Sequence, residues 1–189
     1  MYNSDMHNGL LNDLGRMVSV DVESAGPNPA DYALLSVGAC TLLPLRATFY
    51  RELRPDKPRS DPETEAIHRL DLTRLAREGL PPEQALGKMA DWLAETIHDP
   101  RGPLFLGFNA AFDWMFLNDY CLHYLGHNPF GHSAVDIKSV IMGMRLIAWE
   151  DTSMRHLTDV PLRHNALQDA QDQADIFLNV LREADILDA

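Results

Sequence analysis

Five residues of this 189-residue sequence suggest a shared reactive site. Asp21 and Glu23 stand two apart at the end of the run RMVSVDV. On a β-strand, residues two apart project from one face, so both carboxylates would leave the same edge of a sheet. Such a pair repels itself, an arrangement that makes sense beside a divalent cation. Asp113 follows the apolar run PLFLGF by about one helical turn, close enough to turn back towards that edge. His164 and Asp169 lie five apart, which does not align them on one helix face. The spacing works if His164 lies just before a helix, on a loop carrying Pro161 and Arg163, and Asp169 lies in its early turns.

Each piece also has an ordinary structural explanation. With 19 Asp and 9 Glu in the chain, about one Asp-x-Glu pair arises by chance. Asp61-Pro62-Glu63 is a second such pair, in a Pro-punctuated polar segment. Asp21 and Glu23 differ in ending an apolar strand ahead of a Gly-Pro loop, where α/β folds place sites. Asp113 alone suits a carboxylate at a helix N-terminus, and His164 alone suits a surface histidine.

Periodicity indicates the strands and helices around these residues. Residues 1–15 read as a loosely held arm, and 16–189 as one domain. RMVSVDV (16–22), ALLSVGACTLL (33–43) and RATFYREL (46–53) read as three strands of an antiparallel meander. PPEQALGKMADWLAETIH (81–98) puts Leu86, Met89, Leu93 and Ile97 on one helical stripe. PLFLGF (103–108) reads as a strand buried on both faces, with Asn109 capping a helix over about 110–125. SAVDI (133–137) reads as a fifth strand before a Met-rich helix, and a last helix starts near 165. The expected architecture is α/β with a mixed sheet.

Composition sets outer limits. The chain is 46% hydrophobic and 23% charged, close to the globular average, which excludes disorder or low complexity as overall descriptions. No apolar run approaches the roughly 20 residues of a membrane span, and the N-terminus lacks a signal-peptide layout. Cys40 and Cys121 are too few for a disulfide framework and read as buried reduced thiols, so the expected location is cytoplasmic and away from membranes. Sixteen Lys and Arg against 28 Asp and Glu give a net charge of -12, which repels polyanions at long range unless cations intervene.

The ordered set Asp-x-Glu, Asn-x-x-Phe-Asp and His-x-Ala-x-x-Asp resembles the DEDDh (DnaQ-like) class of 3′–5′ exonucleases from about residue 17 to 182. Within the class it is most similar to the ribonuclease T branch, through VDVESAGPNPADYALLSVGACTL, FNAAFD, NPF (128–130) and HNALQDAQDQA. The resemblance implies a ribonuclease H-like fold, a five-stranded mixed sheet flanked by helices. It also implies metal-dependent hydrolysis of the terminal phosphodiester at 3′ ends of short single-stranded RNA or DNA, releasing nucleoside 5′-monophosphates. Two divalent cations, Mg²⁺ or Mn²⁺ and roughly 4 Å apart, would serve this chemistry, and an all-oxygen ligand set suits both ions. By resemblance Asp21 bridges both cations, Glu23 and Asp169 complete one position, Asp113 holds the other, and His164 takes a proton from water. A homodimer is expected on the same ground.

Three positions depart from the branch. Pro27 stands where an aromatic residue is usual, Ile67-His68-Arg69-Leu70 replaces a Phe-Asn-Gly-Ile-like segment, and Ser24 replaces Thr. Aromatic stacking is worth about 1–3 kcal/mol per base, so the first two changes should alter base preference. Leu34, Leu35, Ile67 and Phe130, with Ser24 and Asn109, are the expected substrate contacts, although Leu34 and Leu35 also suit strand core. Two other readings stay open. One is an oligoribonuclease-like enzyme on very short RNA, and the other is a non-catalytic partner-binding module derived from an exonuclease. The intact acidic set argues against the second.

Overall fold

A computed structural model describes residues 4–157 and 163–187. Helix α1 (Ser4–Leu14) leads into β1 (Met17–Ser24), β2 (Leu34–Thr41) and β3 (Thr48–Glu52). Helices α2 (Pro62–His68), α3 (Leu72–Glu78) and α4 (Pro82–Thr96) follow, then β4 (Leu104–Gly107), α5 (Ala111–Leu125), β5 (Ala134–Asp136) and α6 (Ile137–Arg145). A 3₁₀ turn (Trp149–Thr152), the short α7 (Met154–Leu157) and the long α8 (Ala166–Glu183) complete the described chain.

The five strands form one mixed sheet in the order β3-β2-β1-β4-β5. β1–β2 and β2–β3 pair antiparallel, whereas β1–β4 and β4–β5 pair parallel. Alternation along β1 sorts its side chains between two cores. Val18, Val20 and Val22 join Phe105, Leu86, Met89, Phe116 and Leu117 on the face covered by α4 and α5. Met17 points the other way and joins Leu14, Leu106, Ile141, Phe177 and Leu181 under α6 and α8. Asp21 and Glu23 share the parity of Met17, so they open onto the α8 face.

The strand and helix expectations agree with this arrangement, with two differences. The segment expected as a loose arm contains helix α1, and its last residue Leu14 is buried in the α8-side core. Leu10 and Leu14, four apart on one face of the helix, both pack into that core. Asn109 does not cap α5. It takes a left-handed φ of 60°, and Ala110 occupies the cap position without a side-chain hydrogen bond. Cys40 and Cys121 are both free and buried. Among the described residues, no helix is long and apolar enough to cross a membrane.

Candidate active site

The site begins where β1 outruns its neighbour. β4 pairs with β1 at Met17, Val18 and Ser19, and among the described residues the rest of β1 has no strand partner on that edge. Backbone groups there need other partners. Asp113, in the first turn of α5, supplies one, since its Oδ1 accepts the Val22 N–H at 3.0 Å. The same hydrogen bond places the Asp113 carboxylate beside Asp21 and Glu23.

Helix α8 brings the remaining groups from the opposite face. It can do so because β2 carries Gly38 directly opposite Asp21 in the sheet register. A Cβ at Gly38 would lie 2.1 Å from the Ala166 carbonyl carbon and 2.2 Å from the Leu167 nitrogen. Glycine therefore lets the N-terminus of α8 rest on the sheet itself. Asn165 caps that terminus by accepting the Gln168 N–H at 3.2 Å. Asp169 reaches back from the first turn. Its Oδ1 accepts the Arg163 N–H at 3.1 Å and its Oδ2 the Asn165 N–H at 3.0 Å. These two bonds bracket His164, which sits between them with a left-handed φ of 51°. The Asp169 carboxylate thus holds the turn that presents the imidazole. Pro161, expected on this loop, lies outside the described residues.

Asp21, Glu23, Asp113, His164 and Asp169 line one open cleft of about 220 Å³ with Val22, Phe108, Asn109 and Phe112. One ligand atom each from Glu23, His164 and Asp169 lies within 4.8 Å of the others. The electrostatics are those of a cation site. Burial pushes the Asp21 carboxyl well above the usual range, and the charges of Asp113, Glu23 and Asp169 push it further, while the Gln173 hydrogen bond opposes them. Glu23 is raised to about 8 by burial, then by Asp169 and Asp113. Asp113 is raised to about 7, again chiefly by burial, despite the backbone N–H groups that favour its charged form. Asp21, Glu23 and Asp113 therefore favour their protonated forms more than ordinary carboxylates do. The cluster's oxygen-rich donor set fits hard divalent ions such as Mg²⁺ and Mn²⁺.

The expected substrate contacts divide. Asn109 is exposed on the cleft rim, and Ile67 is 48% exposed at the end of α2. Leu34 and Leu35 are fully buried, because β2 is covered on both faces, and neither can wedge against a base. Phe130 is also core, packed edge-on against Phe105 with ring centroids 5.4 Å apart. Ser24 is 2% exposed, and its hydroxyl donates to the Gly26 carbonyl at 2.8 Å. Alternation alone could have flagged Ser24, since it falls on the opposite parity from Asp21 and Glu23. Two polar residues escaped the sequence reading. Gln173 is buried against Asp21. His68 is buried next to Ile67, and its Nδ1 accepts the Leu70 N–H at 2.9 Å. Its Nε2 has no hydrogen-bond partner among the described residues, and burial and the nearby His164 both lower its pKa, although Glu65 opposes them.

Comparison with known proteins agrees with this geometry. The chain is 38% identical over 165 residues to the 3′-5′ DNA exonuclease Cap18 of Escherichia coli, covering 85% of this chain and 88% of the relative. It is 27% identical over 182 residues to ribonuclease T of Marinobacter nauticus, covering 87% and 81%. Among solved structures, it superposes on the nuclease domain of 3′hExo, a DEDDh family member bound to rAMP, with a TM-score of 0.75 at 16% identity. That match covers 88% of this chain and 92% of the other. No family model matches the sequence. The fold is thus ribonuclease H-like, and the chain belongs to the DEDDh family of 3′–5′ exonucleases.

Proposed function

We propose that this exonuclease shortens single-stranded nucleic acid from its 3′ end, releasing nucleoside 5′-monophosphates with the help of two Mg²⁺ or Mn²⁺ ions. DNA is the preferred substrate on this reading, with RNA second. The observation that carries the proposal is the convergence of Asp21, Glu23, Asp113, His164 and Asp169 on one cleft from β1, α5 and the start of α8. The DNA preference rests on the 38% identity to a named DNA exonuclease.

Asp21, Glu23, Asp113 and Asp169 would hold the two cations. Bound there, the ions supply the positive charge that lets an anionic phosphodiester be attacked and its 3′ oxygen leave. The four carboxylates also keep that charge localised at the cleft in a protein of net charge -12. His164 takes the proton of the attacking water at a ring nitrogen, and the Asp169 bracket fixes where the ring stands. Asn109 on the cleft rim and the exposed Ile67 would meet the terminal nucleotide. Strong net negative charge favours short or single-stranded ends over long duplexes. A homodimer remains the expected assembly and is checked by light scattering.

The test is a set of 5′-labelled DNA and RNA strands of graded length, incubated with Mn²⁺ and resolved at single-nucleotide spacing. The expected result is stepwise 3′ shortening, faster on DNA, with 5′-monophosphates released and no reaction in excess EDTA. Internal cuts or 3′-phosphate products would overturn the proposal. Activity confined to di- to pentanucleotides of RNA would favour the oligoribonuclease-like alternative.

A further inference from the structure

We propose that Gln173 is a positioning residue that sets the Asp21 carboxylate for cation binding; this inference rests on the function proposed above. Gln173 lies four residues after Asp169, so the face of α8 that delivers one carboxylate also delivers this carboxamide. Its side chain is 3% exposed and makes two hydrogen bonds. Nε2 donates to Asp21 Oδ1 at 2.7 Å, and Oε1 accepts the Phe108 N–H at 3.0 Å.

The second bond decides the orientation of the first. A backbone N–H can only donate, so the atom facing Phe108 must be the amide oxygen and the atom facing Asp21 must be the NH₂ group. The carboxamide cannot turn over without setting two donors against each other. Asp21 Oδ1 is therefore held by a neutral donor, and Oδ2 has no protein hydrogen-bond partner among the described residues.

The same side chain also steadies the turn that leads to Asp113. Phe108 is the first residue after β4, Asn109 next to it has a left-handed φ, and the Ala110 N–H is taken by Asp136 Oδ1 at 3.0 Å. Gln173 and Asp136 thus clamp this turn at the N–H groups on either side of Asn109. Through one carboxamide, α8 is linked to β1 and to the β4–α5 turn, the elements that carry or place Asp169, Asp21 and Asp113. A hydrogen-bonding partner behind a cation ligand characteristically controls affinity, and its loss costs about 10- to 100-fold.

The experiment titrates Mn²⁺ alone into the full chain without nucleic acid, reading the free ion by electron paramagnetic resonance. Wild type, Gln173→Met, Gln173→Asn and Asp21→Asn are compared at a temperature where circular dichroism shows all of them folded. Gln173→Met keeps the side-chain length and removes both hydrogen bonds, and Gln173→Asn is the polar substitute should the methionine variant fail to fold. The expected result is Mn²⁺ affinity weakened about 10- to 100-fold in both Gln173 variants. The Mn²⁺ concentration for half-maximal exonuclease activity should rise by a similar factor. A lowered melting temperature with Mn²⁺ affinity within threefold of wild type would mean a merely structural role and would overturn the proposal. If instead wild type binds no Mn²⁺, or Asp21→Asn binds it as wild type does, the proposed function fails and this inference fails with it.

Discussion

Replacing Gly38 with alanine tests whether contact between α8 and the sheet builds the site. The new methyl carbon would sit 2.1–2.3 Å from three backbone atoms of Ala166 and Leu167, where ordinary contact begins near 3.4 Å. No side chain can swing aside, so the N-terminus of α8 must retreat by about 1 Å. Overpacking of this kind costs about 1–3 kcal/mol. The larger effect is expected on catalysis, since Asp169 and the His164 turn move with the helix while Asp21 stays on β1. A displacement of about 1 Å can cost about 100-fold in rate. The assay is single-turnover 3′ shortening of a labelled single strand, alongside thermal melting. Gly87→Ala in α4 is the control, because nothing lies within 4 Å of its added carbon. It should stabilise the helix by about 0.5–1 kcal/mol and leave the rate unchanged. Gly38→Ala with the wild-type rate would show that the site does not need the close approach of α8 to the sheet.

Other consequences follow from the carboxylate cluster. Glu23 and Asp113, at about 8 and about 7, hold protons more tightly in the folded chain than in the unfolded one. Their contribution to stability is therefore complete below about pH 4 and is lost as pH rises through 7 to 8. The melting temperature of EDTA-treated protein should fall across that window, and Mn²⁺ should restore more at pH 8 than at pH 5; a flat profile would contradict the cluster's electrostatics. Asp113→Asn keeps an oxygen for the Val22 N–H but removes a charge. It should abolish turnover while stabilising the metal-free protein at pH 8 by on the order of 2 kcal/mol, measured by urea denaturation. His164→Ala should slow hydrolysis by about 10²- to 10⁴-fold without lowering Mn²⁺ affinity comparably; an unchanged rate would remove His164 from the reaction.

Much of the fold could be read from local pattern. Alternation in RMVSVDV and the helical stripe Leu86, Met89, Leu93 and Ile97 each report one element's buried face, and all four stripe residues are buried. Periodicity is a local signal, and it weakens where three elements meet. It placed Leu34 and Leu35 ambiguously because β2 is buried on both faces and has no polar side to identify. It assigned Asn109 as a cap because Asn suits that position, although the turn after β4 instead needed a residue tolerant of left-handed φ. The five polar residues of the cleft were legible because their types are chemically unusual in combination. Gly38 and Gln173 were not, because their importance lies in distances to other elements. A glycine in a strand and a glutamine in a helix carry no mark of the backbone or carboxylate they will meet.

The proposed reaction requires two cations shared by side chains from β1, α5 and α8. The most direct measurement is anomalous scattering from crystals of this protein soaked in Mn²⁺. The expected result is two peaks roughly 4 Å apart, both touched by Asp21, with Glu23 and Asp169 beside one and Asp113 beside the other. Peaks held by other residues, or none in a cleft whose carboxylates are open to solvent, would contradict it.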